Sequence, residues 1–188
     1  MIQRTFSDYK LVIYFIVLIW GLELADIVLP RNLNEFALRP REIGSLYGVV
    51  SMHFLHNGLG HLLSNTIPLL ILGFFVGALD KIRRVTFFIM ILTGLLVWLF
   101  ARDGLHAGAS GLVMGYWGYL ISNAFFHRSF KNISIAVITL LIYSGAVYTL
   151  LDFRSSISFE GHIFGFISGV FGAWIFSEKE KGNRKNSK

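Results

Sequence analysis

Six times along this chain an apolar run of about the length that crosses a bilayer is closed by a short polar or basic stretch. Few folds can use such a pattern. In hydrocarbon the backbone must satisfy its own hydrogen bonds, so the runs read as spanning helices, at about 9–29, 59–79, 85–101, 105–126, 133–151 and 159–177. Charged residues make up 15% of the chain against 54% hydrophobic, too few to clothe a soluble domain. The expected fold is an all-α polytopic membrane protein, a single six-helix domain over 1–188 with no separate soluble unit. Glu23 and Asp26 interrupt the later half of the first run and are expected to face protein or the interface rather than lipid. Between the first two runs, Pro30, Pro40 and Gly44 break regularity while Phe36, Leu38, Leu46, Tyr47, Val49 and Val50 stay apolar. That mixture predicts an interfacial or partly embedded outer loop over 30–58.

Six spans return the chain to the side on which it began. That side then holds Arg4 and Lys10, the cluster Lys81, Arg83 and Arg84, the turn with Arg128 and Lys131, and the charged tail 178–188. The other side holds Arg31, Arg39, Arg41, Arg102 and Arg154. Basic residues favour the cytoplasmic side, which predicts both termini in the cytoplasm and the 30–58 loop outside. The formal net charge of +6 is thus read as topology and not as a nucleic-acid surface, because the cations sit in short clusters between apolar runs. The first run is long and no small-residue cleavage pattern follows it, so it is expected not to be a cleaved signal, and the absence of a transit-like N-terminus favours a prokaryotic plasma membrane. With no cysteine, disulfides and thiolate metal sites are excluded.

Within this frame four polar side chains stand out. His61 and Asn65 lie near the start of the second run, Ser110 near the start of the fourth and His162 near the start of the sixth. All three runs begin on the outer side, so at 1.5 Å per residue the four groups are expected roughly 3 to 10 Å below their helix starts. His61 and Asn65, four apart, share a helix face. Polar groups inside a membrane are costly, and four at one depth on three helices are unlike decoration. A serine hydroxyl is a weak nucleophile until a base takes its proton, and a neutral imidazole at His162 can do so and later return the proton to the leaving amine. Asn65 and His61 carry donors that, with the Ser110 backbone N–H, suit a tetrahedral oxyanion. Glu160, two residues from His162, does not share its face, and nothing requires a third member of the dyad. Gly161, Gly165 and Gly169 repeat every fourth residue on the sixth run, while Gly108, Gly111, Gly115 and Gly118 thin the fourth. Small residues of this kind let helices approach closely, which would bring serine and histidine together.

His61-x-x-x-Asn65, Gly108-Ala-Ser110-Gly111 and Gly161-His162-x-x-Gly165-x-x-x-Gly169, in that order on alternate runs, closely resemble the rhomboid family of intramembrane serine proteases. Phe54-Leu55-His56 is similar to that family's approach to its second span. The resemblance covers nearly the whole chain. It implies a six-helix fold, Ser110 as nucleophile, His162 as base, His61 and Asn65 as oxyanion donors, no cofactor and no metal. It also implies that the partners are membrane lipid and transmembrane protein substrates, cleaved near the outer face. Departures are Met114, where many members carry an aromatic that packs on the catalytic histidine, and Leu46-Tyr47, in the region of a common Trp-Arg pair. Asp80 matches an acidic residue late in the second span only at an altered offset from Asn65.

Three other readings fit less well. A metalloprotease would use His53, His56 and His61, but the His-Glu-x-x-His pattern of zinc hydrolases is absent. A catalytically inactive binding scaffold would have no reason to keep Ser110 and His162. A transporter would more often carry charges near the midplane, which runs two to six lack.

Overall fold

The computed structural model describes residues 2–30, 32–79, 82–150 and 158–186. Asp80, Lys81, Arg31 and the segment with Arg154 lie outside the described residues. The helices are α1 (Ile2–Val28), α2 (Gly48–Ser51), α3 (Leu59–Ala78), α4 (Ile82–Phe100), α5 (Ser110–Phe126), α6 (Phe130–Ile142), α7 (Ala146–Leu150) and α8 (Phe159–Asn186), with short 3-10 turns at Leu33–Phe36 and Ile43–Ser45. Among the described residues there is no strand, only a single antiparallel bridge between Leu38 and His106. The stretches Tyr9–Val28, Leu59–Ala78, Ile82–Phe100 and Phe159–Ser177 are long and apolar enough to cross a membrane. With 17 and 13 residues, α5 and α6 are shorter. The chain is an all-α membrane bundle.

At the centre stands α5, packed by α3, α4, α6 and α8. From Gly111 to Leu120 every residue but Val113 is buried, as a helix apolar on all sides must be. Leu112 and Tyr119 are fully inaccessible and join Ile19, Leu62, Leu72, Val85 and Ile89 in one continuous core. Polar contacts also join the helices: the Thr86 Oγ1 and Tyr116 hydroxyl meet at 2.5 Å, and Trp20 Nε1 donates to Thr66 Oγ1 at 3.1 Å. Of the two acids in the later half of α1, Glu23 is buried and accepts from the Gly58 N–H, while Asp26 accepts from the Leu33 N–H.

Two expected spans are corrected. The fourth, taken from 105, becomes helical only at Ser110, because Gly104 (φ 146°) and Gly108 (φ 127°) adopt the left-handed backbone that breaks a helix, and 105–109 pairs elsewhere. The fifth, taken as one helix over 133–151, begins at Phe130, ends at Ile142 and resumes as α7 after Tyr143, Ser144 and Gly145. Composition alone does not separate these cases, since an apolar loop buried in protein looks like a helix until its hydrogen bonds are counted.

The 30–58 loop is structural. Leu38, Val49 and Met52 are buried with Val97 of α4 and with Ala101 just after it. Gly94 of α4 permits this approach: a Cβ there would lie 2.3 Å from the Val49 carbonyl oxygen. Arg41 donates to the Ala101 carbonyl at 2.6 Å and pairs with Asp103, while Trp98 Nε1 donates to the Glu42 carbonyl at 3.0 Å. His53, wholly inaccessible, donates from Nε2 to the Met90 carbonyl at 3.0 Å.

Candidate active site

Ser110 is the first residue of α5 and is delivered by an extended segment rather than by a preceding helical turn. The segment is held at four points. His106 and Leu38 exchange backbone hydrogen bonds (2.9 and 3.2 Å), Gly108 N–H donates to the Met52 carbonyl at 2.8 Å, and Ala109 N–H donates to His56 Nε2 at 3.2 Å. Backbone at membrane depth is tolerated only when its polar groups are satisfied within the protein, and here the 30–58 loop supplies the partners. At Gly108 a side chain is doubly excluded. Its φ is left-handed, and a Cβ would stand 2.7 Å from His61 Cε1, 2.9 Å from His61 Nε2 and 3.6 Å from Ser110 Oγ. The His61 ring and the Ser110 hydroxyl therefore converge on one small volume that only a glycine leaves open.

His61 and Asn65 rise from the first two turns of α3. The Asn57 N–H approaches His61 Nδ1 at 3.5 Å, which assigns the ring proton to Nε2, the nitrogen facing Gly108 and Ser110. Asn65 is buried, and its side-chain amide donates to the His61 carbonyl at 2.9 Å, leaving a second N–H on the same nitrogen.

His162, also buried, stands in the first turn of α8, within electrostatic reach of His61. That helix is set against α5 by its glycines. A Cβ at Gly165 would fall 2.1 Å from the Gly111 carbonyl oxygen, and one at Gly169 2.0 Å from that of Gly115. Gly118 likewise accepts the Phe166 carbonyl, 2.6 Å from where a Cβ would be, so the helices meet backbone to backbone over several turns. The start of α8 is clamped as well. Ser158 Oγ accepts from the Gly161 N–H at 3.2 Å and stands 2.7 Å from His106 Nδ1, while His106 Nε2 donates to the Arg102 carbonyl at 3.0 Å. His106 thus ties the segment before Ser110 to the cap of the helix that carries His162. Glu160 pairs with Arg102 at 3.2 Å, whose guanidinium lies over the Phe159 ring.

The sequence reading missed this support. For Ser158 a signal existed, since serine immediately before an apolar run is a favoured helix N-cap. For His106 there was none beyond its place in a charge-free run. His56, a residue of the 30–58 loop, takes the backbone N–H next to Ser110. Its ring packs edge-on to that of His61, centroids 5.2 Å apart. Met114 is buried one turn after Ser110.

Burial pushes the His53 imidazole down to about 4, and burial with the adjacent His61 ring does the same for His56, opposed by the Phe54 carbonyl. Both rings are neutral in the folded protein at pH 7. A folded-state value below the ordinary one near 6.5 means that the unfolded chain takes up the proton first, so stability is full above about pH 6.5 and falls as pH drops towards 4. The expected slope is about 1.4 kcal/mol per pH unit for each ring. Melting in detergent between pH 7.5 and 5 should show this loss, and His53→Gln should remove about half of it. An unchanged slope in that variant would place the titration elsewhere.

Among the described residues no three His, Asp or Glu side chains are grouped to hold a metal ion. Compared with known families, residues 43–179 match the Rhomboid domain. An uncharacterized protein of Mycobacterium tuberculosis is 33% identical over 184 residues, 92% of this chain and 77% of that protein. An uncharacterized protein of Mycobacterium leprae is 32% identical over 184 residues, 92% and 73% of the two chains. RHOMBOID-like protein 4 of Arabidopsis thaliana is 29% identical over 124 residues, 64% of this chain and 32% of that protein.

Proposed function

The chain belongs to the rhomboid family, and on that premise we propose that it is an intramembrane serine endopeptidase using Ser110 and His162 as a dyad. The observation that carries the reading is the volume beside Gly108, on which the Ser110 hydroxyl and the His61 ring converge. In the proposed reaction His162 takes the Ser110 proton as Oγ attacks the scissile carbonyl and returns it to the leaving amine as the C–N bond breaks; it then takes a proton from a water that attacks the acyl ester and returns it to Ser110 Oγ as the carboxylic acid leaves. The oxyanion forms within reach of the Ser110 backbone N–H at the start of α5, His61 Nε2–H and the second Asn65 amide proton. The positive end of the α5 dipole favours the same charge.

A peptide bond inside an intact helix is sheathed by side chains, and its carbonyl is held by the residue four along. Substrates are therefore transmembrane segments that unwind locally, with a small residue at the cut and Gly, Pro or polar residues shortly beyond it. The basic clusters support cytoplasmic termini and a site opening to the outer side. Co-expression with tagged single-span proteins, with and without such helix breakers, tests the activity. Labelling of Ser110 by a fluorophosphonate tests the nucleophile. A chain that neither cuts any member nor takes the label is a binding scaffold, not an enzyme.

Asn65→Ala separates transition-state from ground-state roles. Loss of one oxyanion donor costs on the order of 10² to 10³ in turnover. The variant should therefore lower kcat with little change in KM, and the reverse pattern would make Asn65 a substrate-binding residue.

A further inference from the structure

The residues four places ahead of Ser110 and of His162 meet each other: His106 Nδ1 stands 2.7 Å from Ser158 Oγ. Their partners dictate which atom carries each proton. His106 Nε2 faces the Arg102 carbonyl at 3.0 Å, and a carbonyl only accepts, so the neutral ring carries its proton on Nε2 and presents a lone pair at Nδ1. The Ser158 O–H donates to that lone pair, while its oxygen accepts the Gly161 N–H at 3.2 Å and its carbonyl accepts the His162 N–H at 3.3 Å. Both ring nitrogens of His106 are thus engaged, in a side chain buried from solvent. Glu160 adds a second tie at the same end, its Oε1 accepting the Arg102 N–H at 3.3 Å.

These bonds hold α8 against α5 on one side of the dyad, and the glycines hold it on the other. Gly165, three residues after His162, abuts the backbone of Gly111, the residue after Ser110. A contact between bare backbones sets how closely two helices approach but leaves them free to pivot about it. A second fixed point removes that freedom. We propose that His106 is a positioning residue for the dyad: through Ser158 it fixes the first turn of α8, and with it the orientation of His162 toward Ser110. The role rests on the reading of Ser110 and His162 as nucleophile and base. His106 touches no reacting atom, so its loss disturbs the alignment needed for attack and leaves the grip on substrate as it was.

The test is steady-state cleavage of a reporter transmembrane substrate by the full chain in detergent, with melting followed on the same samples. His106→Ala should lower kcat roughly ten- to hundred-fold, the scale of a displacement of about 1 Å at a reacting centre, with KM unchanged. His106→Asn, whose amide reaches the place of Nδ1 and meets Ser158, should recover most of that rate. His106→Gln, whose amide reaches the place of Nε2 and meets the Arg102 carbonyl instead, should stay slow. The two amides differ by one methylene, so their contrast carries the test even if the alanine variant fails to fold. Ser158→Ala should be about as slow as His106→Ala, and the double variant no slower than either, because each removes the same bond. With a parent that cuts and a Ser110→Ala variant that does not, the dyad stands, and four results would then overturn the role of His106 alone: a parental rate in folded His106→Ala, equal rates for the Asn and Gln variants, additive losses in the double variant, or a change in KM without one in kcat. A parent that cuts nothing, or a Ser110→Ala variant that cuts at the parental rate, overturns the dyad and this role with it.

Discussion

Ser110→Ala should abolish cleavage while leaving the protein folded and inserted. The substitution removes one oxygen at the first residue of α5, and alanine is the best helix former, so the helix loses nothing by it. Chemically the loss is large. In serine hydrolases whose nucleophile, base and orienting group act as a unit, deleting the nucleophile costs on the order of 10⁶ in turnover, and deleting the base as well adds little. The same non-additivity is expected here: Ser110→Ala, His162→Ala and the double variant should all be inactive to a similar degree. Fluorophosphonate labelling should vanish in each. Cleavage of a reporter substrate at the parental rate by Ser110→Ala would end the assignment of Ser110 as nucleophile.

A second large effect should come from a residue that performs no chemistry. In Gly165→Ala the new methyl would sit 2.1 Å from the Gly111 carbonyl oxygen and 2.9 Å from its carbon, both backbone atoms. Neither can rotate away, so α8 must move off α5. Overpacking of this kind costs about 1–3 kcal/mol, more where the backbone cannot yield. The displacement moves His162 relative to Ser110, and a shift of about 1 Å at a reacting centre can cost roughly 10² in rate. Gly165→Ala should therefore both melt earlier and cut at least a hundred-fold more slowly. Gly21→Ala is the control, since nothing lies within 4 Å of a Cβ there, and it should be neutral. A Gly165→Ala protein with parental melting and activity would mean that the helices are not locked at this contact.

These two variants divide what could be read in advance from what could not. The apolar runs and their basic boundaries were legible because spanning length and charge bias are properties of local sequence. Ser110, His162, His61 and Asn65 stood out for a similar reason: polar side chains in apolar helices are few, and their order along the chain matches a known motif. The glycine repeats were legible as packing surfaces, but the pairing of Gly165 with Gly111 and of Gly169 with Gly115 depends on how two separate helices cross. Nothing local encodes that register.

The same limit explains the errors at 105–126 and 133–151. Leu105, Ala107 and Ala109 are as apolar as any helix, and what keeps 105–109 out of the helix is a set of partners at Leu38, Met52 and His56, about fifty residues or more away in sequence. His106 shows it most plainly. By sequence it was one more residue in an apolar run. In the fold its two ring nitrogens join the Arg102 carbonyl to Ser158, and with them the segment before Ser110 to the start of α8. Which residues were able to do chemistry was written in their types and spacing. Which backbone would deliver them was decided only when distant segments closed on one another, because inside a membrane every N–H and C=O must find a partner, and that partner need not be a neighbour in sequence.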